Sequence, residues 1–565
     1  MSRKFAIALF GVMGVFFALF FVWPIAITVR EAFVTNDGQF TLAYLGDVFL
    51  NPLYVEGLIN SLKMGVFSTL LAILLALPLA VLTDRYVFPG KAWFSSLILL
   101  PLMLPPFVGA IGIKHLLGKM GVLNTGLINI GLMDPAQPVD WLGESQLLGV
   151  VIMNALHLYP IIYLNVSAAL ANLDPAMEEA AENLGCGRWR RFFKITLPLT
   201  MPGLFAGATI VFIWAFTELG VPLMFDFSRV TSVQIFNGLK DLSGNPTPYA
   251  LVVVLLAAAI LMFALSKGVF GRRAQAIAGK ASIGRQPRPL GTARALACTL
   301  LFTTVTVVAV LPHVAVVLTS LSKDWYGTIL PDTFTLASYE EALGHPLTLL
   351  SIKNSLIYAS LATVLDIVLG VAIAYVVVRT TLPGRHLLDG MAMMPLAVPG
   401  LVLAFGYLAM TREGQFFDFL MLGENPILLL VIAYAVRRLP YVVRSAAAGF
   451  QQTSVSLEEA AQNLGASPFK ALRKITLPLI SANILAGGLL AFAFAMLEVS
   501  DSLILATKQA YFPITTAMYA LFNALGNGEK LASALGVWAM AFLAITIIGA
   551  SLILGKKMGA LFRIS

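Results

Sequence analysis

The sequence predicts an all-α integral membrane protein with about 12 transmembrane helices, arranged as two parallel six-helix repeats. Three observations support this fold class. Hydrophobic residues make up 59% of the 565 residues and charged residues 12%, whereas soluble domains are usually about one quarter charged. Apolar runs of roughly 20 residues, the length needed to cross a bilayer, recur along the whole chain, and one charged segment occurs twice.

The apolar runs define the predicted spans, and the spans define the domains. The first six spans cover about 5–29, 64–83, 92–113, 147–171, 204–225 and 249–265, and the second six about 295–320, 355–378, 388–410, 427–446, 484–505 and 533–554. Residues 266–294 are polar, basic and rich in Gly and Pro, as expected of a linker. We therefore predict a first domain at 1–265, a cytoplasmic linker at 266–294 and a second domain at 295–565.

Charge predicts the orientation of these spans. Lys and Arg concentrate in alternate loops, for example at Arg85 and Lys194, whereas the opposite loops are more acidic. Positive loops face the cytoplasm, which predicts that both termini are cytoplasmic. This arrangement also accounts for the net charge of +8. We therefore predict that the chain contacts membrane lipid and has no nucleic-acid partner. The histidines and cysteines form no cluster with metal-ligand spacing, so no metal site is predicted.

An internal duplication covers most of the chain. PLMLPPFVGAIG from Pro101 matches PLAVPGLVLAFG from Pro395 at a shift of 294 residues, and Glu218 matches Glu498 at a shift of 280. The first repeat therefore has an outer loop about 14 residues longer than the second. Because each repeat has an even number of spans, both enter the membrane in the same direction and the repeats are parallel.

The duplicated charged segment occupies 174–198 and 454–478. Its copies read EEAAENLGCGRWRRFFKITLPL from Glu178 and EEAAQNLGASPFKALRKITLPL from Glu458. A cap at Asp174, or at Ser454 or Ser456, predicts the start of a short helix, and a glycine predicts its end. A second, basic helix then leads to the next span. An amphipathic loop on the lipid headgroups would explain the basic residues but not two copies with the same spacing.

This spacing resembles the EAA signature of ATP-binding-cassette (ABC) importer permeases. In both copies Glu-Ala-Ala is followed, after three residues, by Gly, and nine residues later by Ile-x-Leu-Pro. The resemblance implies a fused two-domain permease of the binding-protein-dependent, type I group, which includes ferric-iron, thiamine and 2-aminoethylphosphonate permeases. It also implies that the signature residues contact an ATPase. These residues are Glu179, Ala180, Ala181 and Gly185 in the first copy, and Glu459, Ala460, Ala461 and Gly465 in the second.

The resemblance further implies the partners and the location. The expected partners are two copies of a cytoplasmic ABC ATPase and one extracytoplasmic substrate-binding protein, in a bacterial inner membrane. The chain has no P-loop: GASLILGKKM from Gly549 has five residues between its glycines instead of four and lacks the following Ser or Thr. We therefore predict no catalytic residue and no cofactor in this chain, with ATP and Mg used by the partner ATPase.

Five charged residues inside predicted spans are candidates for the translocation pathway. They are Glu218, Glu498, Asp366, Arg437 and Arg438. Charges inside a membrane are costly unless they face a cavity or a partner, so these residues either line the passage or pack against polar groups, with an Asp366–Arg pair as one such packing. The prolines of spans three and nine, among them Pro105 and Pro399, form either part of a gate or ordinary kinks.

The cargo is the least constrained property. We favour ferric iron, because fused permeases of this layout are common in that group and the matched acids suit a cation. Arg437, Arg438 and the positive net charge would suit an anion, so 2-aminoethylphosphonate, another small phosphorylated solute or thiamine is the alternative. A secondary transporter would explain the hydropathy and the duplication, and a membrane enzyme would explain the buried charges, but neither explains two coupling signatures.

Overall fold

The structure is a computed structural model that describes residues 3–35, 37–143, 146–241, 246–277 and 287–554. Helices dominate these residues. Those before the predicted linker, together with α15, which enters it, are α1 (Arg3–Phe17), α2 (Trp23–Phe33), α3 (Ala43–Leu50), α4 (Pro52–Arg85), α5 (Lys91–Leu97), α6 (Leu100–Met103), α7 (Pro106–Leu117), α8 (Val122–Asn129), α9 (Leu147–Ala171), α10 (Pro175–Asn183), α11 (Arg188–Arg191), α12 (Leu197–Phe216), α13 (Gly220–Met224), α14 (Thr231–Asn237) and α15 (Thr247–Ile277).

The second repeat follows the same order of elements. Its helices are α16 (Thr292–Leu321), α17 (Ala337–Gly344), α18 (Pro346–Arg379), α19 (Arg385–Met393), α20 (Gly400–Met410), α21 (Ile427–Gln452), α22 (Val455–Asn463), α23 (Pro468–Ala471), α24 (Leu477–Met496), α25 (Ser500–Leu505), α26 (Ile514–Phe522) and α27 (Gly528–Leu554). Short π-helical turns at Ala18–Val22, Phe192–Thr196 and Leu472–Thr476 make α1–α2, α11–α12 and α23–α24 continuous, and four short 3₁₀ turns occupy Gly238–Asp241, Met394–Leu396, Asp418–Glu424 and Gln509–Tyr511.

The predicted all-α membrane fold is confirmed, but the count of 12 spans is not reached by length and composition. Among the described residues, nine helices are long and apolar enough to cross a membrane, or eleven if each of two bent helix pairs is one span. The remaining prediction, 427–446, lies within α21, whose three arginines, Arg437, Arg438 and Arg444, make it too polar to be recognised by composition alone.

Spans three and nine are sharply broken at the predicted prolines. The axis turns by 96° between Lys91–Met103 and Pro106–Asn129, and by 100° between Arg385–Leu396 and Gly400–Met410. Pro105 stands immediately before α7, and Pro399 immediately before α20. Pro105 has an extended backbone, with φ −66° and ψ 119°. These bends are much larger than an ordinary proline kink, which removes one hydrogen bond and tilts the helix.

The chain forms two compact units, and each combines segments from both repeats. Among the described residues, one unit is drawn from Met1–Asn51, Ile235–Leu256 and Tyr339–Arg563, and the other from Pro52–Gln234 and Ala257–Ser338. In the first, α18, α21 and α24 pack together and α2 packs on α20; in the second, α4, α9 and α12 pack together and α16 packs on α7. The first span of each repeat therefore belongs to the unit built on the other repeat's core.

Two glycines make this packing close. A Cβ on Gly406 would lie 2.3 Å from the carbonyl oxygen of Pro24 in α2, and a Cβ on Gly112 would lie 1.8 Å from that of Pro312 in α16. Both distances are far below van der Waals contact, so only glycine fits. Gly112 and Gly406 correspond at the shift of 294.

The predicted linker at 266–294 is described only in part. α15 continues to Ile277, and residues 278–286 lie outside the described residues. Arg288–Pro289 then forms a strand, β2, that pairs in parallel with β1 (Tyr86–Val87) at the end of α4. The boundaries of the two predicted domains, 1–265 and 295–565, stay a prediction. The C-terminal residues 555–565, predicted to be cytoplasmic, also lie outside the described part of the chain.

Candidate functional site

The two predicted coupling segments fold as helix, turn and helix. In the first, Asp174 Oδ1 accepts the N–H of Ala176 at 2.9 Å and caps α10. In the second, Ser454 Oγ accepts the N–H of Ser456 at 3.3 Å and caps α22. Gly185 and Gly465 then adopt positive φ values of 76° and 86°, the left-handed conformation that ends helices and favours glycine.

The signature residues themselves lie on the exposed side of these short helices. Glu179, Ala180 and Gly185 are exposed and Ala181 is half-buried. The second copy is the same, with Glu459, Ala460 and Gly465 exposed and Ala461 half-buried. Since none of the eight is buried in the described structure, all are accessible to a partner, while their contacts with an ATPase stay a prediction.

Exposed apolar side chains surround the signature residues at matched positions. Leu184 is 88% exposed and Leu464 is 89% exposed. The matched exposed pairs are Met177 and Leu457, Leu184 and Leu464, and Trp189 and Phe469. Large apolar side chains that no other described part of the chain covers indicate a surface that binds another molecule.

The first glutamate of each segment has a different place from the second. Glu178 is buried, and its Oε1 lies 2.7 Å from Arg85 Nη2 at the end of α4. Thr196 accepts a hydrogen bond from the same Nη2 at 2.7 Å and donates to the same Oε1 at 2.5 Å. This three-residue cluster ties the coupling helix α10 to the end of one span and to the beginning of another.

The second repeat builds the same cluster with a small change. Arg379 Nε donates to Glu458 Oε1 at 3.1 Å, and Thr476 Oγ1 donates to that oxygen at 3.0 Å. Arg379 Nη2 donates to the carbonyl oxygen of Thr453 at 2.7 Å rather than to the threonine hydroxyl. Both clusters are buried, where an unpaired charge would cost several kcal/mol, so they fix the coupling helices firmly.

Sequence reasoning missed these clusters, although the signal was present. Arg85 and Arg379 correspond at the shift of 294, and Glu178 and Glu458 at the shift of 280. The duplication is visible in the sequence, but charge patterning alone accounts for these arginines as orientation charges. Nothing in the sequence indicated that an arginine at the end of span two meets a glutamate 93 residues later.

Glu218 and Glu498 share one structural role. Glu218 follows α12, and its Oε1 accepts the N–H groups of Gly220 at 3.0 Å and Val221 at 3.3 Å, at the start of α13. Glu498 follows α24 in the same way and stands just before the start of α25, near the backbone N–H groups of Ser500 and Asp501. A carboxylate at a helix N-terminus is stabilised by these donors, which explains why both repeats have an acid here whatever the cargo.

The second repeat adds a buried ion cluster to this carboxylate. Glu498 Oε1 lies 2.8 Å from Arg437 Nη1, and its Oε2 forms an ion pair with Arg438 Nη2. Arg437 Nη1 also lies 3.5 Å from Asp501 Oδ2. Glu498 is 3% exposed and Asp501 0%, so these charges are compensated within the protein.

The structure corrects the expected Asp366–Arg pair. Arg437 and Arg438 pair with Glu498, whereas neither carboxylate oxygen of Asp366 has a hydrogen-bond partner among the described residues. Asp366 is 1% exposed and lies within α18. A role for these five charged residues in the translocation pathway stays a prediction. Asp501 was not among the sequence candidates because it lies at the edge of an apolar run.

His157 and Arg437, which correspond at the shift of 280, each lie against one of the broken spans. His157 Nδ1 lies 2.8 Å from the carbonyl oxygen of Pro101, and His313 Nε2 lies 3.2 Å from that of Pro105. In the second repeat a Cβ on Gly400 would lie 1.6 Å from Arg437 Nη1, so the guanidinium occupies the space beside the break. Within the described residues, no group of three or more His, Cys, Asp and Glu side chains has an arrangement that could hold a metal ion.

Comparison with known proteins matches both halves of the chain to one family. The family described as "Binding-protein-dependent transport system inner membrane component" matches residues 68–276 and again 366–558. One match covers most of each predicted repeat, the first running into the predicted linker, and each contains one coupling segment.

Full-length relatives have the same fused layout. The chain is 30% identical over 478 residues to the provisionally named ferric transport system permease protein FbpB 1 of Haemophilus influenzae, covering 83% of this chain and 71% of that one. It is 29% identical over 497 residues to the ferric transport system permease protein FbpB of Actinobacillus pleuropneumoniae, covering 86% of this chain and 68% of that one.

A shorter relative matches only part of the chain. The molybdenum transport system permease protein ModB of Escherichia coli K12 is 29% identical over 220 residues, 38% of this chain and 91% of that one.

These matches have direct consequences for function. A permease subunit is a transport component and not an enzyme, and its family implies an ATPase and a substrate-binding protein as partners. The apolar helices and the relatives together make this a multi-pass inner-membrane protein. The chain belongs to the binding-protein-dependent transport system inner membrane components, and it is a fused two-domain ABC importer permease.

Proposed function

We propose that this permease forms the translocation pathway for ferric iron, delivered by a substrate-binding protein and driven by two copies of a separate ATPase that use ATP and Mg. In the orientation predicted from the positively charged loops, both termini and both coupling segments face the cytoplasm. The observation that carries the proposal is the pair of matched coupling segments, each anchored by a buried Arg-Glu-Thr cluster and each presenting exposed apolar and signature residues.

The anchors explain how force would pass from an ATPase to the spans. A docked ATPase would pull on α10 or α22 through exposed groups such as Glu179 and Leu184, and the buried Glu178–Arg85 pair would transmit that movement to α4. One segment per repeat provides one attachment for each ATPase copy. Rigid attachment matters here because a mobile coupling helix would dissipate the movement instead of transmitting it.

Ferric iron as cargo is supported by the full-length relatives named as ferric permeases. The anion alternatives, 2-aminoethylphosphonate and other phosphorylated solutes, relied on Arg437 and Arg438. Both arginines are engaged by Glu498, so the specific argument for an anion is weakened.

The docking proposal is tested with the double variant Glu179→Ala plus Glu459→Ala in proteoliposomes with the cognate ATPase. Both side chains are exposed, so the unfolding temperature of the permease should change little, while ATPase binding and ATP-driven uptake should fall strongly. Glu413→Ala is the matched control, an exposed glutamate in the loop after α20. Uptake that is unchanged in the double variant, or that runs on an ion gradient without ATP, would refute the proposal.

The cargo is tested separately with the purified cognate binding protein. We expect tight binding of ferric iron in titration calorimetry, and uptake of radioactive ferric iron that needs the binding protein. Binding of 2-aminoethylphosphonate with no binding of ferric iron would contradict the cargo and leave the docking proposal intact.

A further inference from the structure

Asp366 is a buried carboxylate without a partner in the described conformation. It lies within α18, is 1% exposed, and neither Oδ1 nor Oδ2 receives a hydrogen bond. An unpaired carboxylate in such a place costs several kcal/mol, because burial removes the water that would stabilise its charge. A buried polar group without a partner calls for an explanation, and a second conformation that supplies the partner is one such explanation.

A complementary unsatisfied donor lies on the neighbouring helix. Arg438 of α21 donates through Nη2 to Glu498, but its Nε has no hydrogen-bond partner. Asp366 and Arg438 stand at the same level of the packed α18 and α21 helices, because one turn further along each helix a Cβ on Gly370 would lie 2.7 Å from Val442 Cγ1. A guanidinium has five N–H donors, so Arg438 has the capacity to bind a second carboxylate.

Three helices of the second repeat, α18, α21 and α24, each have one end at the second coupling helix. α18 ends at Arg379, which binds Glu458 of α22. α21 leads into α22 through Thr453, whose carbonyl oxygen also accepts from Arg379. The chain entering α24 contributes Thr476, which donates to Glu458. A displacement of α22 therefore acts on α18, α21 and α24 at once.

The first repeat lacks this arrangement. At the corresponding shifts, Asp366 is matched by Ala72, Arg438 by Leu158 and Asp501 by Val221. Ala72 is fully buried and belongs to an apolar cluster with Leu158. The first repeat thus provides an internal comparison in which the same helices pack without these charges.

We propose that Arg438 has two alternative carboxylate partners, Glu498 in the described conformation and Asp366 in a second conformation that the protein adopts when α22 moves. Asp366 is then a positioning residue of the transport cycle, present only in the second repeat. The exchange needs only a small sliding of α21 against α18 and α24, the scale of movement by which packed helices switch between two arrangements. This inference rests on the proposed docking of the ATPase at the coupling segments.

The experiment is a double-mutant cycle in two states of the full permease–ATPase complex, nucleotide-free and trapped with ATP and vanadate. The variants are Asp366→Asn, Arg438→Gln and both together, and the readouts are the unfolding temperature and the ATPase rate. In the nucleotide-free complex we expect no coupling between the two positions, because no bond joins them there. In the trapped complex we expect coupling, with Asp366→Asn lowering its unfolding temperature and reducing the ATPase rate about fivefold or more.

Two controls separate this outcome from a general effect of removing a carboxylate. Asp389→Asn changes a carboxylate that lies 3.5 Å from the exposed Arg444, and should leave both states unchanged. Asp366→Glu keeps the charge and should restore most of the ATPase rate. Additive effects of Asp366→Asn and Arg438→Gln in both states would overturn the inference, as would coupling that is already present without nucleotide.

The failure of the proposed function would look different. If the unmodified permease does not bind its ATPase and no trapped complex forms, the docking proposal fails, and the exchange of partners loses its cause and fails with it. If the unmodified complex is trapped normally and Asp366→Asn is neutral in it, only the inference about Asp366 fails.

Discussion

The two repeats are alike where they meet the coupling helices and unlike deeper inside. At the coupling helices, Arg85 with Glu178 and Arg379 with Glu458 form equivalent buried ion pairs. Further into the spans, the second repeat joins Glu498 to two arginines, one of which also meets Asp501, whereas the corresponding acid of the first repeat, Glu218, caps α13.

This difference separates two requirements. In the proposed function one ATPase copy moves each repeat, which would require the same mechanical connection in both. The side chains inside each repeat are free to differ, because a buried ion cluster and a set of packed apolar side chains can give similar stability. The shared coupling clusters thus identify the machine, and the unshared charges identify what is particular to this chain.

The largest difference between the repeats should appear on removing the matched acids. Glu498→Gln leaves Arg438 buried without its carboxylate and Arg437 with Asp501 alone, and should destabilise the permease by about 3–5 kcal/mol. Glu218→Gln keeps an oxygen that accepts from Gly220, and should cost about 1 kcal/mol. Thermal unfolding in detergent measures both. Equal losses would show that the cluster of the second repeat is not a separate stabilising feature.

The close contacts of the exchanged spans should be equally sensitive in both repeats. Gly112→Ala and Gly406→Ala each place a methyl group against a backbone oxygen, at 1.8 Å from Pro312 and 2.3 Å from Pro24. Each should lower the stability by about 1–3 kcal/mol through overpacking, as measured by the unfolding temperature. Gly390→Ala is the control, since its Cβ would meet nothing within 4 Å. An effect at only one of the two positions would limit the close packing to one repeat.

The coupling clusters should differ slightly in their dependence on threonine. Thr196 both donates to Glu178 and accepts from Arg85, whereas Thr476 only donates to Glu458. Thr196→Val should therefore destabilise by about 1 kcal/mol more than Thr476→Val, because it leaves a buried donor of Arg85 without this acceptor.

Unfolding temperature and limited proteolysis of the coupling segments report this difference. Thr546→Val is the control, since its hydroxyl bonds only to the carbonyl oxygen of Phe542 within the same helix. Greater damage from Thr476→Val would mean that the Thr453 carbonyl oxygen does not substitute for the missing contact.

The smallest expected effect concerns the longer loop of the first repeat. Asn124 is 1% exposed, accepts from Trp141 Nε1 at 2.6 Å and donates to the carbonyl oxygen of Val139 at 2.7 Å. Trp141→Phe removes one of these bonds and should cost about 1 kcal/mol, seen as faster amide hydrogen exchange between α7 and α9. Trp538→Phe, which alters a ring stacked on Phe542, should leave that loop unchanged. Exchange that is unaffected by Trp141→Phe would show that this bond does not order the loop.

The sequence by itself determined the membrane class, the duplication and the coupling segments. The membrane class follows from composition, and the duplication follows from comparing one half of the sequence with the other. The cap at Asp174 and the turns at Gly185 and Gly465 follow from local backbone chemistry. The sequence also identified three of the four members of the buried ion cluster, Glu498, Arg437 and Arg438, but not Asp501. It also placed the predicted span 427–446 within α21, although the arginines of this helix make it too polar for a test of apolar composition alone.

Only the tertiary structure decided which charges meet. Arg85 and Glu178 are 93 residues apart, and Arg437 pairs with Glu498 rather than with Asp366. The partner of a buried charge depends on how separate helices pack, because ion pairs require an approach within about 4 Å. Helix packing likewise decided that each first span joins the unit of the other repeat. Local sequence fixes the helices and their ends, whereas the contacts between helices come from the whole chain at once.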